Sequence, residues 1–130
     1  MSGLPRLCAI ADLMATGAKG VTLGPQDDPR QVVVVRDGDS VRAYANRCPH
    51  LLLPLEIVPD RFLDETGRHL VCRTHGARFR VTDGHCTVGP CFGDALEAVA
   101  VAVINGSVYL AEDDFLPASK RPTAREDNLP

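Results

Sequence analysis

The feature that most constrains this chain is Cys48-Pro49-His50, followed after residues 51–71 by Cys72-Arg73-Thr74-His75. Each segment offers one thiolate and one imidazole, spaced C-x-H in the first and C-x-x-H in the second. Two soft sulfur ligands and two imidazoles suit either one tetrahedral zinc or a two-iron cluster. The order of the ligands bears on the choice. Zinc fingers usually pair Cys with Cys and then His with His, whereas here each short segment carries one of each. A cluster in which two thiolates hold one iron and two imidazoles the other draws that mixture from two equivalent loops. A zinc site and four unrelated residues stand as the alternatives.

The remainder of the chain reads as all-β. With 130 residues it is one domain with a modest core. Its apolar runs are short, Val-rich and punctuated by turns. Arg6–Ile10 is predicted as a first strand, and 11–19 as a short helix or an irregular turn. Residues 31–36 hold the continuous run Val32–Val35, which suits a strand buried on both faces. Asp37-Gly38 signals a turn into a second strand over 40–46, giving a hairpin. Residues 96–104 alternate Val99, Val101 and Val103, Asn105-Gly106 signals a type I′ turn, and 107–111 returns. Residues 47–93, rich in Gly, Pro, Cys and His, form a cofactor-binding segment between these hairpins. Residues 113–130 change character, with charges of both signs and few large apolar residues, and are expected to be a mobile tail outside a domain of 1–112.

At the two ligand segments the chain resembles the Rieske [2Fe–2S] protein family. The first box reads C-P-H-L-L-L-P-L from Cys48 and the second C-R-T-H-G-A-R-F from Cys72, with Asp83-Gly84 and Gly89-Pro90 following. The resemblance implies an antiparallel β-sandwich base with a small cluster-binding β subdomain inserted. It implies one Rieske-type [2Fe–2S] cluster, with Cys48 and Cys72 on the inner iron and His50 and His75 on the outer iron at the protein tip. Gly76 follows the second His, and Gly89-Pro90 resembles the third loop, which covers the cluster. High-potential family members donate Ser and Tyr hydroxyls to the cluster sulfurs. The matching positions here are Ala77 and Phe79, which have none. Those members also tie their loops with a disulfide, and no such Cys pair stands inside these boxes. Both absences imply a low-potential, ferredoxin-type protein.

The resemblance further implies a one-electron carrier that passes electrons from a reductase to an oxygenase. It is not expected to be an enzyme by itself, because no segment here carries a catalytic iron domain. The alternatives are a small subunit of a nitrite-reductase-like complex and a zinc-binding interaction module. Leu51, Leu52 and Leu53 depart from the ferredoxin pattern; they either pack under the loop or form an apolar docking rim around His50. Cys86 and Cys91 are read as plain thiols, with extra ligation or a disulfide left open. Cys8 is read as core, His69 and His85 as surface residues, and Asp12, Asp27 and Asp28 as solvated. A net charge of −3 argues against a nucleic-acid partner. No apolar run approaches the ~20 residues that span a bilayer, and no signal peptide is evident, so the expected location is cytoplasmic. The expected partners are redox proteins.

Overall fold

The computed structural model describes residues 5–24, 29–49, 54–56, 58, 60–74, 76–89 and 93–111. Among them the chain forms nine strands and no α-helix: β1 (Arg6–Ala9), β2 (Ala18–Leu23), β3 (Arg30–Asp37), β4 (Ser40–Ala45), β5 (His69–Val71), β6 (Arg78–Arg80), β7 (Cys86–Val88), β8 (Val101–Ile104) and β9 (Ser107–Leu110). They pair antiparallel into three sheets of three strands, ordered β1-β9-β8, β2-β3-β4 and β5-β6-β7. The cofactor-segment hairpins β5-β6-β7 are drawn wholly from residues between β4 and β8.

The Val-rich run dictates how these sheets stack. Val32, Val33, Val34 and Val35 are all at 0 % exposure, and neighbouring strand residues point to opposite faces. Val33 and Val35 join an apolar cluster with Tyr44, Phe62, Leu70 and Phe79. Val32 and Val34 join another with Leu7, Cys8, Val108 and Leu110. The β2-β3-β4 sheet is therefore a middle layer with an apolar core on each face. Cys8 lies in the second core, as expected, and burial followed by the Asp12 carboxylate pushes its thiol pKa up.

Both predicted hairpins form. Asp37 pairs with Ser40 across Gly38 and Asp39, with Gly38 at φ 63. Ile104 pairs with Ser107, and both Asn105 (φ 51) and Gly106 (φ 78) take the positive φ that a type I′ turn requires. Three local readings are corrected. Residues 11–19 are neither one helix nor one turn: Ile10–Leu13 is a single 3₁₀ turn, and the strand β2 begins at Ala18. The strand read over 96–104 is regular only from Val101. Upstream of it, the backbone bonds are divided between two neighbours: Leu96 N donates to Gly84 O, while Ala45 N donates to Glu97 O and Val99 N to Ala43 O, which make only an isolated bridge between Tyr44 on β4 and Ala98. Val103 also faces solvent at 51 % exposure instead of sharing the face of buried Val99. The expected tail, 113–130, lies outside the described residues.

The middle sheet and the β5-β6-β7 sheet are joined through Tyr44. Its hydroxyl donates to Val81 O at 2.7 Å, and its ring lies under the Asp83-Gly84 turn. Gly84 has φ +77, and a Cβ built there falls 2.8 Å from Tyr44 Cε1. Gly38 also has positive φ but faces open space. Gly38→Ala is expected to cost about 1 kcal/mol, the ordinary left-handed penalty. Gly84→Ala meets the anchored ring as well and should cost at least about twice as much. Denaturant midpoints of the two variants check the order; equal losses would show that the Tyr44 ring yields freely.

Candidate metal centre

Cys48 follows the end of β4, and Cys72 follows the end of β5. Both are at 0 % exposure and belong to the same apolar cluster, together with Leu55, Ala77, Phe79 and Cys86. The fold thus brings one thiol from each box to a single core. His50 and His75, the other two predicted ligands, lie outside the described residues, as do Leu51, Leu52, Leu53, Pro90 and Cys91. Among the described residues no group of three or more His, Cys, Asp or Glu is gathered as a metal would need. The donor set still fits a thiophilic centre, because two buried thiols, one from each box, share one apolar cluster.

The first loop is closed by Asn46, a residue the sequence reading passed over. Asn46 is buried, and its backbone N donates to Gln31 O at 2.8 Å. Its side-chain Oδ1 accepts from Leu55 N at 2.8 Å, and its Nδ2 donates to Glu56 Oε1 at 2.8 Å. One amide therefore holds both ends of residues 46–55. A buried polar group persists only when its bonds are satisfied, and here they define the loop's footprint.

The second loop runs from Cys72 to Ala77 between β5 and β6. Cys72 N donates to Ala77 O, and Gly76 N donates to Cys72 O, each at 2.8 Å. Gly76 has φ 76, which explains a glycine directly after the predicted His ligand. Ala77 and Phe79 are at 0 % exposure in the cysteine cluster. Neither carries a hydroxyl, and that of Tyr44, in the same cluster, is committed to Val81 O. The third segment packs on the second: at Gly89 (φ +107) a Cβ would stand 2.8 Å from Ala77 Cα. Here close approach of two backbones requires glycine.

Arg73 couples the two boxes. Its backbone N donates to Leu55 O at 2.8 Å, its Nη2 to Leu63 O at 3.0 Å and its Nε to Arg61 O at 3.3 Å. Leu55 therefore has its N–H held by Asn46, before the first box, and its C=O held by Arg73, inside the second. Polar ties thus connect the segments that carry the two boxes.

Asp64 anchors the base of the second loop. Its side chain is 3 % exposed and accepts from Thr66 Oγ1 (2.7 Å), Thr66 N (3.1 Å), Gly67 N (3.1 Å) and Arg78 Nη1 (2.8 Å), with His69 Nδ1 at 3.1 Å. Burial opposes ionisation, but the Thr66 bonds and the His69 and Arg78 contacts outweigh it and hold the carboxyl at about 2. His69 is half-buried against Asp64 and not a plain surface residue, because the carboxylate draws it in. His85 is exposed, as expected, and so is Asp12, which accepts from Ala9 N; Asp27 and Asp28 lie outside the described residues. Cys86 is buried in the same cluster as Cys48 and Cys72.

Two outcomes are expected. Arg73→Ala should lower stability by about 1–2 kcal/mol through loss of its two guanidinium bonds, with Arg73→Lys recovering part of it; thermal midpoints decide this. Asp64 has a pKa below its ordinary value, so the stability it supplies is present above about pH 4 and lost as pH falls through about 2. The stability gap between the native protein and Asp64→Asn should therefore widen from pH 2 to 4 and level off above it. Urea midpoints across that range test the sign, and a gap independent of pH would contradict it.

The sequence model of the Rieske [2Fe-2S] domain matches residues 4–105. No curated protein matches the chain in sequence. Among solved structures, it is similar to the ferredoxin of carbazole 1,9a-dioxygenase from Nocardioides aromaticivorans IC177, at 28% identity and TM-score 0.63, covering 85% of this chain and 98% of that one. A chain from the complex of reduced oxygenase and oxidized ferredoxin in carbazole 1,9a-dioxygenase gives 25% identity and TM-score 0.64, covering 85% and 94%. The E. coli protein NirD shares the fold at 24% identity and TM-score 0.57, covering 85% and 96%.

Proposed function

Because this chain belongs to the Rieske [2Fe–2S] domain family, with the domain spanning residues 4–105, we propose that it is a ferredoxin component carrying electrons singly from a reductase to an oxygenase. It is an electron-transfer protein with one Rieske-type [2Fe–2S] cluster. The oxygenase role rests on likeness to a ferredoxin of a carbazole dioxygenase and to a chain from an oxygenase–ferredoxin complex. Cys48 and Cys72 would hold one iron, and His50 and His75 the other. The cluster, when bound, supplies a reversible one-electron couple, and imidazole ligation raises its potential above that of an all-Cys cluster.

The chain's own residues tune and present it. The observation that carries the low-potential reading is the burial of Ala77 and Phe79 in the same cluster as the cysteines: neither offers a hydroxyl, and Tyr44 spends its own on Val81 O. Without a hydroxyl donor at those two positions, reduction gains less stabilisation. Asn46 and Arg73 hold the loops in register, which limits reorganisation during electron transfer. The proposed docking tip carries His50 and His75, with Leu51 and Leu52 as apolar contacts suited to a weak, transient interface.

Among the described residues, no helix is long and apolar enough to cross a membrane. Iron, sulfide and zinc analysis with voltammetry tests the proposal. Two irons and two sulfides per chain are expected, with a potential of roughly −150 to 0 mV. Cys48→Ser or Cys72→Ser should abolish the cluster, whereas Cys86→Ser should retain it. One zinc without sulfide would overturn the assignment, and a potential above about +150 mV would overturn the account of its tuning.

A further inference from the structure

At the other end of β5 and β6 from the cysteine loops lies a cleft of about 420 Å³. Arg36, Arg68, His69 and Arg80 line it, with Asp37, Val81 and Thr82. His69 opens β5 while Cys72 follows its end, and Arg80 closes β6 while Ala77 precedes its start. A three-residue strand spans about 10 Å, so the cleft is a separate place from the metal centre.

The charges in the cleft do not cancel. Asp37 Oδ2 is taken by Arg42 Nε at 2.8 Å, and Asp83 binds Arg80 through two bonds of 2.7 and 3.1 Å. Among the described residues, the Arg36 guanidinium contacts neutral acceptors, Met14 Sδ at 3.5 Å and Gly38 O at 3.4 Å. Among the described residues neither Arg36 nor Arg68 pairs with a carboxylate. Two guanidiniums thus keep their charge in a cleft of a chain whose net charge is −3.

His69 distinguishes this cleft from an ordinary solvated face. Its Nδ1 is held at 3.1 Å by the buried Asp64 carboxylate, which fixes the ring and assigns the Nδ1 proton to that bond. Its Nε2 has no partner among the described residues. A fixed imidazole edge beside uncompensated guanidinium forks is the donor arrangement that oxyanions recognise.

We propose that the cleft lined by Arg36, Arg68, His69 and Arg80 is a binding site for a tetrahedral oxyanion of the phosphate-monoester class. The cluster-loaded full chain, in buffer free of phosphate and sulfate, is titrated calorimetrically with inorganic phosphate, phenyl phosphate, acetate and chloride at equal ionic strength. Both phosphates should bind saturably at one site, with acetate and chloride weaker by about tenfold or more. Arg36→Gln with Arg68→Gln should weaken phosphate binding by about tenfold or more, while Arg6→Gln, on β1, should not. In the unmodified protein, phosphate should shift the imidazole resonances of His69 and leave those of His85, which does not line the cleft, in place. That measurement needs no variant to fold. Chloride heats equal to those of phosphate, acetate binding as tightly, an unaffected well-folded double variant, or an unmoved His69 would each overturn the site.

Discussion

Burial of one strand on both faces is the constraint from which the rest of the structure follows. Val32 to Val35 carry no exposed surface, and alternating side chains divide them between two cores. Apolar surface of that size leaves water only if a layer covers each face. On one face this layer is β1-β9-β8; on the other it is β5-β6-β7 with the cysteine loops. The metal-binding end therefore shares its core with the sheet base. Val33, Val35 and Tyr44 belong to the same cluster as Cys48 and Cys72.

On that base, the loops are shaped by polar bonds. Leu55 is the junction: its two backbone groups are engaged by Asn46 and Arg73, one from beside each box. Glycine does the remaining work where chain approaches chain, at Gly89 against Ala77 and at Gly84 against Tyr44. Such ties substitute for a covalent link at lower strength.

The electrostatic organisation separates the two ends of the β5-β6-β7 sheet. Toward the loops, Arg73 spends its guanidinium on backbone carbonyls. At the far end, Arg36, Arg68 and Arg80 gather around a histidine positioned by Asp64. Asp64 belongs to both ends, because it binds Arg78 at the start of β6 and His69 at the start of β5. Its low pKa reflects the cost of withdrawing any of these donors from a carboxylate that water scarcely reaches.

The sequence by itself determined the family, the all-β class, the central Val strand and both hairpins, because ligand spacing, unbroken β-branched runs and D-G or N-G turns act locally. It also identified Ala77 and Phe79 as positions without hydroxyls. Only the tertiary structure decided what Asn46, Arg73 and Asp64 do, since a polar residue's role depends on which distant backbone groups reach it. The extent of β8 was settled in the same way: residues before Val101 look strand-like in isolation, but their hydrogen bonds are divided between β4 and the turn at Gly84. Hydrophobic pattern is written along the chain, whereas hydrogen-bond partnership and net charge in a cleft arise only when remote segments meet.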